Sequence, residues 1–209
     1  MTDSAEATIE VAAAADSGAG PIVREWEHLI IPVPGVWAID AGHSILAFDC
    51  RHMMLTRLRG WFASFSGDFH IAEKPEESWV EVTINADSLQ MPNPIAMAAV
   101  KGEHYLQADK FSTLHFRSSR VKHVEASLWQ VTGNLTIKDC SREVTLDANF
   151  EGVLPSPPMF GGQAKMAFAA RTEFDRRDFG MDANIPLPGG GWLVGNRVGL
   201  SLDVEANLA

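Results

Sequence analysis

Tyrosine is nearly absent from this chain, with one in 209 residues, and cysteine occurs only twice, at Cys50 and Cys140. Two cysteines ninety positions apart make neither a zinc spacing nor a disulfide framework, and both fall in strand-like segments where a thiol is a small buried hydrophobe. Positive charge is scarce as well: 17 Lys and Arg against 27 Asp and Glu leave a net charge of -10. Without a broad basic surface to neutralise phosphates, nucleic acid and anionic membrane surfaces are excluded as general partners. Apolar runs are short, none approaching the roughly 18 residues that a membrane-spanning helix needs, so no integral membrane segment is expected. At the N-terminus, Asp3, Glu6 and Glu10 stand where a secretory signal needs positive charge, and the apolar run Val11–Ala15 is too brief. The chain is therefore expected to stay in the cytoplasm.

Catalytic and metal motifs are missing too. Nothing resembles a nucleophile elbow, and the histidines form no HxxxH or HxH pair. No metal, cofactor or catalytic residue is expected.

What is present is alternation. Residues 1–23 are small and acidic and read as a disordered tail, and residues 24–35 as an extended lead-in. From residue 36 to 209 the dominant period is two. In "LWQVTGNLTIK" the apolar face is Trp129, Val131, Leu135 and Ile137; in "REVTLDANFEG" it is Val144, Leu146, Ala148 and Phe150. One dry and one wet face per strand is the mark of antiparallel sheet. Strands are expected at Val36–Asp40, Ser44–Met53, Arg57–Ile71, Ser78–Ala86, Thr113–Val121, Ser127–Lys138, Ser141–Gly152, Gln163–Thr172 and Arg197–Leu208. Long twisted antiparallel strands close on themselves because closure removes the exposed edges, which gives an all-β, eight-stranded barrel able to enclose one small ligand. One segment, "MPNPIAMAAVKGEHYL", breaks the period. Asn93 reads as an N-cap, Pro94 as the first helical residue, and Ile95–Val100 are apolar on every side, which predicts a buried helix covering one end.

"HSILAFDCRH", residues 43–52, gathers chemically capable side chains but divides them between faces. Leu46, Phe48, Cys50 and His52 point inward and Asp49 and Arg51 outward. At about 3.3 Å per residue, His43 and His52 lie roughly 27–30 Å apart, at opposite ends of the barrel. His43 stays open between a hydrogen-bonded turn residue and a ligand-facing one, and His52 likewise between a structural and a ligand-facing role. "DRRDFGMDAN" (Asp175–Asn184) reads as a rim loop in which Arg176 clamps Asp178 or Asp175, Gly180 takes a positive φ and Asn184 caps; the alternative for Arg176 is contact with a ligand head group.

"WAIDAGHSILAFDCRHMM" followed by "RLRGWFASFSGDF", and then "VTGNLTIKDCSREVTLD", "TEFDRRDFGMDAN" and "LVGNRV", resemble in order the YceI-like polyisoprenoid-binding family. The resemblance implies an extended, lipocalin-like eight-stranded antiparallel barrel holding the isoprenoid tail of a quinone-type or prenyl-phosphate lipid. It implies wall positions at Leu46, Phe48, Phe62, Phe65, Val82, Phe116, Leu135, Met166 and Phe168, with Met97 and Val100 of the helix, His52 and Arg176 completing the binding set. Two departures stand out. Ala96, Met97, Ala98 and Ala99 occupy the place of the family's Arg-Asp-x-His run, unless a shifted alignment pairs its histidine with His104. Lys138-Asp139-Cys140-Ser141 replaces the usual hairpin His-Gly-Val-Thr. The expected role is carriage, storage or sequestration of the lipid without catalysis. Two alternatives are an enzyme pairing His52 with His104 or Arg176, and a solid barrel acting through its surface, its tunnel blocked by the Met97–Val100 helix and by Trp61 or Trp129. Oligomeric state is not set by the sequence, which leaves a homodimer open.

Overall fold

A computed structural model describes residues 21–155 and 162–209. The expected acidic tail lies outside the described residues up to position 20. In the segment where an extended lead-in is expected, β1 (Val23–Trp26) and β2 (Leu29–Pro32) pair as a hairpin turning at Glu27.

The barrel is a closed antiparallel meander of eight staves. The first stave is two collinear strands, β3 (Gly35–Ile39) and β4 (Ile45–His52), and the second is β5 (Thr56–Phe62) and β6 (Phe65–Ile71). The third is β7 (Trp79–Asn85) with the short β8 (Leu89–Gln90). Then come β9 (Thr113–Glu125), β10 (Leu128–Ile137), β11 (Cys140–Pro155), β12 (Ala164–Asp175) and β13 (Val194–Leu208). Closure comes from β13, which pairs with β12 along one edge and with β4 and then β3 along the other. Several strands run further than the alternation predicts, because their ends lie on a ladder partner even where the apolar pattern has stopped.

Two expectations are corrected. The segment Arg57–Ile71 is broken at Ala63–Ser64, where Ala63 N–H donates to the Ser88 carbonyl and Ser64 N–H to the Ser88 hydroxyl. An unbroken strand would send Phe62 and Phe65 to opposite faces; the break buries both. The helix α1 (Pro94–Lys101) starts as expected, the Asn93 side chain accepting from Ile95 N–H at 2.9 Å and Ala96 N–H at 3.2 Å. It is not buried all round. No residue of it is fully buried, and Ile95 is 80% exposed, because a short helix laid over a barrel mouth meets the wall along one side only, through Ala96, Met97 and Val100.

The interior packs in two zones. A larger apolar cluster joins the mouth under α1 to mid-barrel, and a smaller one fills the far end around Trp37, which is 0% exposed and packs with Val153, Ala164, Met166 and Ala206. Mid-wall, Gly133 sits at a bulge where β9 and β10 approach so closely that an added Cβ would meet Ser118 Cα at 2.6 Å and the Phe116 ring at 2.7 Å.

Trp37→Ala is expected to cost about 3–5 kcal/mol, as for other buried tryptophans. Gly133→Ala is expected to cost about 1–3 kcal/mol by overpacking. Urea unfolding of both variants, at unchanged m-value, measures this; wild-type stability in either would contradict the packing described.

Candidate functional site

The inward faces of the staves do not meet across the barrel, and the space between them is a tunnel of two chambers. The proximal chamber, under α1, has a volume of about 390 Å³ and the distal one about 150 Å³. Leu46 and Leu202, cross-strand neighbours on β4 and β13, line both chambers and mark the neck between them. Along β13 the lining runs from Val194 to Val204, roughly 33 Å of strand at about 3.3 Å per residue, which with the usual tilt of barrel strands makes the tunnel roughly 25 Å long. Period-two alternation is what builds it, since every second residue of each stave faces the lumen.

Most residues expected on the wall are there. Leu46, Phe48, His52, Phe62, Val100, Leu135 and Arg176 line the proximal chamber, and Leu46, Val82, Phe116 and Phe168 the distal one. Three are not. Met166 points inward but lies in the closed packing around Trp37, past the end of the lumen. Phe65 is buried outside both chambers, and Met97 packs from α1 onto the core without reaching the cavity. Neither tryptophan obstructs the tunnel: Trp61 faces outward and is exposed, and Trp129 forms part of the distal wall. The sequence reading missed Tyr105, which lines the proximal chamber, whereas its neighbour His104 is exposed and off the wall. An aromatic just after an apolar helix that departs from the family run is the signal that could have found it.

Polar groups on the wall gather at the proximal end. Arg176, at the start of a 3₁₀ turn spanning Arg176–Phe179, is 2% exposed. Its Nε donates to the Gly195 carbonyl at 3.1 Å, Nη1 to the carbonyls of Met181 and of Ala183 (3.1 Å), and Nη2 to Asn196 Oδ1 at 3.3 Å. The expected clamp is therefore corrected. Asp175 holds the neighbouring Arg177 instead, Nη2 to Oδ2 at 2.6 Å, and that pairing brings the Asp175 carboxyl down to about 2. The reason is geometric: Asp175 caps the turn, so its carboxylate faces Arg177 N–H while Arg176 turns inward. Gly180 does take a positive φ, 65°, and the Asn184 side chain ties the loop to Val194. Among the described residues no carboxylate lies within ion-pair distance of Arg176. A guanidinium carries five N–H donors, so one on Nη2 is uncommitted, and the buried positive charge is met only by neutral oxygens. Tyr105 lies beneath it, 5.5 Å from the guanidinium carbon to the ring centre. Burial pushes the nearby Cys50 thiol up, partly offset by Arg176.

Around the proximal mouth the surface is apolar. The β4–β5 turn exposes Met53, Met54 and Leu55, α1 exposes Ile95, and the loop before β13 exposes Ile185 and Trp192. These segments are joined, Met53 N–H donating to the Leu193 carbonyl at 2.7 Å and Leu193 N–H to that of Ile185 at 2.8 Å.

The "IDAGHS" end of the first stave is far from this mouth. His43 Nδ1 lies 3.0 Å from Asp40 Oδ2, so it is the hydrogen-bonded turn residue. Asp40, His43 and Glu205 converge, as no spacing in the sequence shows, but the Lys165 ammonium stands among them, 2.6 Å from Glu205 Oε1, 3.2 Å from Asp40 Oδ2 and 2.8 Å from Asn207 Oδ1. That ammonium fills the place a metal cation would take. The Ser44 hydroxyl donates to the Asp40 carbonyl at 2.7 Å and accepts from Glu205 N–H at 2.9 Å. The group staples the bend between β3 and β4 to β12 and β13.

A family model described as the YceI-like domain matches residues 37–206. Protein YceI of Salmonella newport is 30% identical over 147 residues, covering 70% of this chain and 75% of that protein. A UPF0312 protein of Shewanella oneidensis is 28% identical over 147 residues, covering 70% of this chain and 75% of that protein. Among solved structures, Burkholderia cenocepacia BcnA superposes with a TM-score of 0.67 at 19% identity, over 80% of this chain and 99% of its own. A domain from Saccharophagus degradans described as polyisoprenoid-binding does so at 0.61 and 11%, over 83% of this chain and 98% of its own.

The polar staple sets a pH window. The His43 hydrogen bond, followed by Lys165 and Asn207, brings the Asp40 carboxyl from 3.8 to about 2. A carboxyl lowered on folding adds stability that is present above its unfolded value and lost as pH falls through the folded one. Lys165, raised above 10.5 chiefly by Glu205, adds stability below that value that is lost only as pH rises through its raised one. Thermal melts should therefore show wild type losing stability between pH 3.8 and about 2, and Asp40→Asn losing less over that interval from a lower neutral-pH start. Identical acid limbs would show that the staple does not titrate with folding.

Proposed function

The chain belongs to the YceI-like family, and from that premise we propose that it binds a polyisoprenoid lipid in the barrel tunnel, tail inward and head at Arg176, as a carrier or store. The observation that carries this reading is the one buried charge on a largely apolar wall: among the described residues, a single buried guanidinium with an uncommitted N–H near the open end. Tail burial contributes about 0.8 kcal/mol per methylene-sized group, so a long branched tail needs little help from the head. The polyisoprenoid-binding domain of Saccharophagus degradans, which shares the fold, supports the ligand class. The two apolar chambers inside the barrel support a binding barrel over one that acts only through its surface. The apolar ring at the mouth supports carriage, because a lipid can enter or leave there without its tail crossing water.

A quinone-type head fits best, since one remaining N–H matches one carbonyl oxygen. A phosphate head is the second reading, favoured by the unpaired charge of Arg176. Holding is favoured over turnover by the chemistry at the mouth: His104, which an acid–base pair with His52 would need, is exposed and off the wall, an arginine stays protonated, and a thiol pushed up by burial is a poor nucleophile.

Native mass spectrometry followed by organic extraction tests the reading. A bound species with isoprene-unit mass spacing is expected, and its head group separates quinone from phosphate. A protein that stays ligand-free after incubation with both would overturn it. Leu202→Trp, which narrows the neck, is expected to weaken long-tailed ligands at least tenfold and short-tailed ones little, measured by tryptophan-quench titration. Removing the carbonyls from a quinone ligand should cost about 1.5–3 kcal/mol of affinity if Arg176 binds the head, the value of a hydrogen bond to a charged group.

A further inference from the structure

Part of the wall of the distal chamber is built by residues that precede the family match. That match begins at residue 37, whereas Ile31 and Pro32 of β2 form part of the distal wall, Ile31 being 4% exposed. A two-stranded hairpin is marginal alone, and this one is fastened on two sides of the barrel end. On one side Arg24 donates from Nη2 to the Ala72 carbonyl at 2.6 Å and from Nη1 to the Glu73 carbonyl at 2.5 Å, just past β6. Its Nε donates to Pro32 O at 3.3 Å, tying the two strands of the hairpin together. On the other side Trp26 packs on Trp129 and His123, with ring centres 5.7 Å and 5.8 Å apart, at the β9–β10 turn. Between these fastenings the hairpin crosses the opening that the eight staves leave, and Ile31 hangs into it.

We propose that the β1–β2 hairpin is a fixed stopper that sets how long a hydrocarbon tail the tunnel accepts. This rests on the lipid-binding reading and adds the determinant of tail length. A tail entering past Arg176 and through the Leu46–Leu202 neck runs into Ile31 and Pro32. Each unit added short of that point buries more apolar surface; a unit beyond it must fold back, remain in the mouth or displace the hairpin. Affinity therefore climbs with tail length and then breaks. The hairpin sets the position of the break together with the packing around Trp37 that closes the rest of the far end, so relatives with the same barrel and no such hairpin differ in the tail they hold.

The test compares full-length wild type with two variants against a graded series of polyprenyl quinones and, in parallel, of straight-chain alkyl quinones. Ile31→Trp fills the distal chamber without removing a fastening. The double variant Arg24→Ala with Trp26→Ala releases both fastenings. In wild type, affinity is expected to rise with tail length to a break; Ile31→Trp should move the break to shorter tails, with at least tenfold weaker binding of the longest tail wild type accepts. The double variant should move it to longer ones. A break at the same length in wild type and Ile31→Trp would overturn the stopper, whatever the double variant does. If polyprenyl quinones fail to bind while alkyl quinones show a break that moves with Ile31→Trp, the isoprenoid reading falls and the stopper stands. If neither series binds wild type, both fall.

Discussion

The structure depends on the two-sided pairing of β13. One edge meets β12 along most of its length, from Lys165 opposite Asn207 to Asp175 opposite Arg197, and the other meets β4 and β3. Once that seam is closed, the sheet has no long free edge, and most backbone donors and acceptors of the wall are satisfied by ladder bonds, with side chains such as Ser118 and Ser44 taking up N–H groups where the ladder is interrupted. The lumen is then free of any duty to satisfy the backbone and can stay partly empty. The weak point of the seam is where β13 passes from β4 to β3, between Asp203 and Ala206, opposite the bend at Asp40–Ser44. Lys165, Asp40, Glu205, Ser44 and Asn207 sit at that gap and replace the missing ladder with side-chain hydrogen bonds.

A gradient along the tunnel follows from closure. At the far end Trp37 and its neighbours fill the lumen and the hairpin covers it; at the near end the helix only leans on the rim. The single buried cation stands near the open end. Burying a guanidinium is tolerated when its donors are taken up by fixed acceptors, and Arg176 finds them on backbone carbonyls of two loops, at Met181, Ala183 and Gly195, together with the Asn196 side chain. Those carbonyls orient the group before any ligand arrives. The acidic overall charge of the chain therefore says little about this site, whose local field is positive.

Much of this was legible in advance. The facing of "HSILAFDCRH" held, with Leu46, Phe48, Cys50 and His52 on the lumen and Asp49 turned out to meet Arg57. So did the start of α1 at Asn93 and Pro94. The errors are of one kind. The apolar helix was expected to be buried because its composition is apolar, yet composition does not distinguish a helix inside a protein from one at the rim of an apolar opening. Met166 and Phe168 share one face of β12, and depth along the barrel, which alternation does not encode, puts one in closed packing and the other on the cavity. Arg176 and Arg177 are adjacent arginines beside one aspartate, and no local rule tells which of them turns inward.

By itself the sequence determined the period-two pattern, the antiparallel pairing it requires, the inward set of each strand and the cap of the one helix, because these follow from contacts within a few residues or across one face. Tertiary structure alone decided which end of the barrel is open, what covers the other, and which arginine lies at the mouth. Each of these depends on segments far apart in the chain arriving at one place: the Arg24–Pro32 hairpin on the turns after β6 and β9, and Gly195 and Asn196 on Arg176. Such meetings are set by the closure of the barrel, and closure is a property of all eight staves together.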